Sequence, residues 1–132
     1  MNFKKQAKII MKIRIKENSL RIRLLKSEVN KLVTGINLQE QTCFTSNILT
    51  YALKIKEDDG ELSADFEDNI ITMYVPKKLL TNWDTNAVVG FNTNMKINET
   101  TNLFLLLEKD FVCTDTTTED QSDNFTDPAK KC

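Results

Sequence analysis

The stretch LSADFEDNIITMYVPKKLLTNW, residues 62–83, can be laid on IKENSLRIRLLKSEVNKL, residues 15–32, so that Asn69 falls on Asn18. At that offset Ile71 falls on Leu20, Met73 on Ile22, Val75 on Leu24, Lys77 on Lys26, Leu80 on Val29 and Trp83 on Leu32. Only the asparagine and the lysine are identical, so the match is one of pattern: alternation of period two, a polar turn, alternation again, then apolar residues at helical spacing. Chance similarity between two amphipathic stretches is the competing explanation.

Working outward, Met11–Leu24 reads as a hairpin. Ile13, Ile15, Leu20, Ile22 and Leu24 share one side, Lys12, Arg14, Lys16, Arg21 and Arg23 the other, and Glu17-Asn18-Ser19 is the turn. Leu25, Val29, Leu32 and Val33 then recur at helical spacing, with Gly35 placed to end the helix. Strand-like runs follow at Thr42–Phe44 and Ile48–Ile55, before an Asp58-Asp59-Gly60 turn. The second half repeats the order: alternation at Leu62, Ala64 and Phe66, a turn at Asp68-Asn69, and alternation at Ile71, Met73 and Val75. Pro76 stands at a first helical position, Leu79, Leu80 and Trp83 form an apolar helical face, and closing strands are expected at Ala87–Phe91 and Leu103–Leu107. The expected fold is α+β and β-rich, two tandem β-β-α-β-β units (about 11–57 and 61–111) forming a pseudo-twofold, barrel-like single domain over 11–111. Residues 1–10 are expected to be a flexible extension, and 112–132 an acidic tail.

Composition narrows the chemistry. With 132 residues, one domain can bury a sufficient core without metal or disulfide staples. No apolar run reaches the roughly 20 residues that a membrane span needs, and the basic N-terminus lacks the apolar core of a secretory signal. A cytoplasmic location is the expectation. The chain contains no histidine, which excludes Cys-His and Ser-His catalysis and the His-containing zinc sites. Its three cysteines, Cys43, Cys113 and Cys132, form no CxxC pair; Cys43 and Cys113 are expected as small buried strand residues. Carboxylate pairs such as Asp58 with Asp59 have no nucleophile, phosphate loop or metal spacing beside them, so the reading is of no enzyme, no cofactor and no metal.

The net charge of −1 conceals an asymmetry. Residues 1–31 carry ten basic side chains against Glu17 and Glu28, whereas residues 108–127 carry seven acids against Lys109. Lys12, Arg14, Lys16, Arg21 and Arg23 would stand together on one face of the first hairpin, where like charges on adjacent strands repel and require compensation. Three sources of compensation stay open. One is intramolecular, from Asp65 and Glu67 beside Ser63 on the strand equivalent to the first, or from the tail carboxylates Glu119, Asp120 and Asp123. The second is a nucleic acid, whose binding would weaken steeply with salt. The third is a protein partner. In the tail, Phe125 among Glu119, Asp120 and Asp123 forms a candidate partner-binding segment.

At IKENSLRIRL and NIITMYVPKKLL the chain resembles the swapped-hairpin DNA-binding domain of the transition-state regulator and MazE-type antitoxin families. Asn18-Ser19 stands at that family's turn and Val75-Pro76-Lys77 at its strand end. The resemblance implies half-barrels joined about a twofold axis and a DNA-binding regulator or antitoxin. The chain departs from the pattern at Glu17, where the family has glycine, and at Leu25, where it has proline. Thr72 and Tyr74 stand in the second copy where the first has Arg21 and Arg23. Through LFLLLEKDFVC and EDQSDNF the chain also resembles a group of small uncharacterised bacterial proteins, which implies a bacterial source. The reading that unites these observations is a small non-catalytic binding module acting through the basic hairpin, the acidic tail or both, with the DNA-binding regulator or antitoxin as the alternative.

Overall fold

The computed structural model describes residues 11–111. The expected N-terminal extension, Cys113, Cys132 and the tail residues Glu119, Asp120, Asp123 and Phe125 lie outside the described residues. Eight strands, one α-helix and one 3-10 turn follow in the order β1 (Lys12–Lys16), β2 (Ser19–Leu24), α1 (Lys26–Val33), β3 (Leu38–Cys43), β4 (Ile48–Lys56), β5 (Ser63–Glu67), β6 (Ile70–Pro76), the 3-10 turn (Lys77–Leu80), β7 (Gly90–Lys96) and β8 (Asn102–Lys109). The protein is β-rich, as its alternating pattern requires.

The strands form two four-stranded sheets. The first has the order β1-β2-β8-β7 and the second β3-β4-β6-β5. In each, two antiparallel hairpins are joined through a parallel central pair, β2 with β8 and β4 with β6. A closed barrel is not formed, which corrects the barrel-like expectation: β1, β7, β3 and β5 are edges. Charged side chains on the edges β1 (Lys12, Lys16) and β5 (Asp65, Glu67) disfavour further pairing there.

The inner faces of both sheets feed one core. Leu20, Ile22 and Leu24 of β2 and Leu105 and Leu107 of β8 meet Leu53 of β4 and Met73 and Val75 of β6, while Val29 and Leu32 of α1, Leu80 and Trp83 close it. The left-handed backbone that the turns require is present at Glu17 (φ 53°), Asp68 (φ 55°) and Asn69 (φ 65°), with Gly35 (φ 101°) ending α1.

Several boundaries differ from the sequence reading. β3 begins at Leu38 and β7 runs through Asn92-Thr93-Asn94, polar stretches without alternation that become strands because each pairs with an apolar neighbour, β4 or β8. Ala87–Val89 precede β7 as exposed loop, with Val88 and Val89 41% and 52% exposed. Pro76 ends β6 and caps a single 3-10 turn rather than opening an α-helix. Cys43 is exposed at the end of edge strand β3, not buried.

Helix α1 contains one buried carboxyl. Glu28 is 2% exposed, and its Oε1 accepts a hydrogen bond of 2.8 Å from the backbone N–H of Leu25, half of a capping box. Burial pushes its pKa above the ordinary value of 4.5, against the lowering effect of that hydrogen bond. The native state therefore binds a proton more tightly than the unfolded state. Glu28's contribution to stability is full below about its ordinary value and is lost as pH rises through the raised native value. Glu28→Gln keeps an oxygen for the Leu25 N–H and removes the ionisation. In urea unfolding, its midpoint relative to the natural protein is expected to rise from acid to neutral pH, and a difference that does not change with pH would contradict this account.

Candidate anion-binding face

The side chains of alternate residues on the outer face of the first sheet fall into three rows set by register. Lys16, Ser19, Phe104 and Asn94 stand in one row; Arg14, Arg21, Leu106 and Asn92 in the next; Lys12, Arg23, Glu108 and Gly90 in the third. All five cations singled out in the sequence therefore share one face. Opposite them across β2, the inner side chains Leu20, Ile22 and Leu24 anchor the hairpin in the core. Ile15, expected on the apolar side, is 62% exposed, because it lies near the hairpin tip on an edge strand.

Arg14 faces Arg21 and Lys12 faces Arg23 across the β1–β2 ladder, a repulsive arrangement. It is relieved in the third row. The Nε atoms of Arg21 and Arg23 lie 3.0 and 2.9 Å from the same Oε2 of Glu108, and Lys12 Nζ lies 2.8 Å from Asp110 Oδ2. Arg23 also reaches Asp110 at 3.9 Å. The two carboxylate groups are poorly exposed, at 15% and 11%, so these pairs are less screened than ordinary surface pairs. The intramolecular compensation therefore runs to β8 and the residue after it. Asp65 and Glu67 belong to β5, at an edge of the other sheet.

Glu108 and Asp110 sit at one end of the hairpin, while the tip end carries Arg14, Lys16 and Arg21 around a groove of about 210 Å³ that also touches Ser19, Phe104 and Leu106. The groove joins positive charge to an apolar floor.

Four residues of this face are not singled out by the sequence pattern. Phe104 and Leu106 lie in the unbroken apolar run LFLLL, which conceals the alternation that turns Leu105 and Leu107 inward and their neighbours outward. Glu108 and Asp110 fall at the start of the acid-rich stretch 108–127, yet they belong to the last strand and its end. The signal available was the parallel of LFLLLEK with a strand: position 108 is even, like 104 and 106, and so falls on the outer face.

No helix among the described residues is long and apolar enough to cross a membrane. The model of a family of unknown function, DUF7009, matches residues 11–129. No curated protein matches the chain, and no solved structure matches it.

Proposed function

The chain belongs to the DUF7009 family of unknown function, and we propose that it is a non-catalytic binding module that takes polyanions on the outer face of the β1-β2-β8-β7 sheet. The observation that carries this reading is the row arrangement: register places five cations, Lys12, Arg14, Lys16, Arg21 and Arg23, on one face of the sheet beside an open groove. The acidic segment beyond Phe111, with Glu119, Asp120, Asp123 and Phe125, is the second proposed interaction surface and competes for the same cations.

The finer architecture belongs to this proposal. Two tandem units about a pseudo-twofold axis, the second with a 3-10 turn where the first has α1, are supported by register. β1 pairs with β2 at Lys12↔Arg23, and β5 with β6 at Ser63↔Tyr74, each position displaced by the same interval that separates Asn18 from Asn69. The parallel pairs correspond as well: the N–H of Phe104 donates to the Asn18 carbonyl at 3.1 Å, and the N–H of Thr50 to the Asn69 carbonyl at 3.0 Å. This layout favours a second reading, a DNA-binding regulator or antitoxin of swapped-hairpin type. Against it, Thr72 and Tyr74 occupy the places of Arg21 and Arg23, whereas a symmetric reader of palindromic DNA needs cations in both halves.

The test is fluorescence anisotropy of labelled heparin and of a labelled random DNA duplex titrated with the full chain. Engagement of about four anionic groups predicts a loss of affinity on the order of a hundredfold between about 50 and 200 mM salt. Arg14→Glu combined with Arg21→Glu is expected to abolish the low-salt binding. If the natural protein bound neither probe at low salt, or bound equally well with both charges reversed, the proposal would fail.

A further inference from the structure

The groove at the tip end of the basic face is not lined by charge alone. Phe104 is 36% exposed on a central strand, where the inward neighbour Leu105 is fully buried. Its ring shares the groove with the side chains of Arg14, Lys16 and Arg21. A ligand that were only an array of charges would engage the cations and leave the ring in water. A ligand combining a flat ring with an anionic backbone would use both.

We infer that the face takes single-stranded nucleic acid, with one base stacked on Phe104 and the adjoining phosphates held by the β1–β2 cations. This inference rests on the polyanion-binding reading above and names its ligand class. Spacing supports it. Outward side chains along β1 repeat about every 6.8 Å, and the β1 column is separated from the β8 column by two strand spacings, about 9.6 Å. Cations therefore run parallel to a ring set to one side of them, as phosphates run parallel to the bases of an extended strand. Beyond Phe104, in the same row, stands the exposed side chain of Asn94 on β7, an amide able to donate to and accept from the edge of a stacked base. A duplex keeps its bases stacked on one another and offers Phe104 no ring. Single strands present unstacked bases, and a sheet-borne aromatic beside cations is a chemically suited platform for them.

Three labelled probes distinguish the outcomes for the full chain: oligo-dT, a duplex of equal length, and heparin, with poly-glutamate as an unlabelled competitor. Oligo-dT is expected to bind about tenfold more tightly than the duplex. Phe104→Ala should weaken oligo-dT binding roughly five- to a hundredfold, the range for loss of one stacked base, while leaving heparin affinity unchanged. Phe104→Trp should restore it. Because Phe104 is partly exposed, circular dichroism is expected to show both variants folded. Equal affinity of the natural protein and Phe104→Ala for oligo-dT would overturn the inference while heparin binding left the broader reading standing. Displacement of oligo-dT by poly-glutamate, with the same dependence on Phe104, would overturn it in favour of an acidic protein ligand. Failure of all three probes to bind would remove both readings together.

Discussion

Trp83→Ala is expected to remove about 3–5 kcal/mol of folding free energy, the range for truncating a fully buried aromatic. Trp83 is the chain's one tryptophan and is fully buried after the 3-10 turn. Its ring centroid lies 5.0 Å from that of Phe91 at a 50° tilt, and Lys109 Nζ stands 5.6 Å from it. The indole N–H donates to the Val88 carbonyl at 2.8 Å, tying down the loop that leads into β7. Truncation would therefore open a cavity, release an apolar-walled loop and leave a carbonyl without its donor. Domains of this size have about 5–15 kcal/mol in all, so the variant is expected to be largely unfolded near its working temperature or to lose most of its urea midpoint by circular dichroism. Trp83→Phe retains ring packing and loses only the donor and some volume, so it should cost roughly half as much or less. Equal midpoints for Trp83→Ala and the natural protein would show that the ring is not a keystone of this core.

Gly90→Ala is expected to cost about 3 kcal/mol, and Gly90→Val more. A Cβ at this position would lie 2.3 Å from the Leu107 carbonyl oxygen, 2.8 Å from Glu108 Cα and 2.9 Å from Glu108 Cβ. These are largely backbone atoms of the neighbouring strand, which cannot rotate aside. The clash must be relieved by moving β7 away from β8, at the place where Gly90 pairs with Glu108. Because Glu108 neutralises both Arg21 and Arg23, the damage should reach the basic face as well as stability. Thermal unfolding and low-salt heparin affinity of Gly90→Ala measure the two effects. An alanine variant with natural stability would show that β7 and β8 can part at this position without cost.

The sequence disclosed the elements that stand half in the core and half in solvent. The β1–β2 hairpin, α1 and the β5–β6 hairpin each alternate or recur with a definite period because one side is buried and the other wet. It disclosed less where that condition fails. β3 and the middle of β7 are edge or near-edge segments with polar residues on both sides, so their strand character comes from the partner and not from their own pattern. Ala87–Val89 read as strand because valines favour strands, yet these residues form the loop that leads into β7 above Trp83. The cations of the candidate face were legible as a set, since charge alternates visibly with isoleucine and leucine. The aromatic and the carboxylates opposite them were not, because the β2–β8 pairing joins residues about as far apart as the described chain permits. Closing of the barrel, too, is decided by which edges meet, a matter on which local pattern is silent.

The nesting of the two sheets has a consequence for the order of events at birth. The β3-β4-β6-β5 sheet is built from one uninterrupted length of chain, Leu38 to Pro76, whereas the other sheet joins the two ends, Lys12–Leu24 with Gly90–Lys109. As the polypeptide emerges from the ribosome, the middle can pair while the first hairpin still waits for its neighbour. Non-local parallel pairing of this kind is slow to form and leaves strands unprotected meanwhile. During that interval the arginines of β2 are without Glu108 and Asp110, which are translated some eighty-five residues later. The hairpin is thus more strongly cationic in the nascent chain than in the folded one, and arrival of Glu108 and Asp110 lowers that charge.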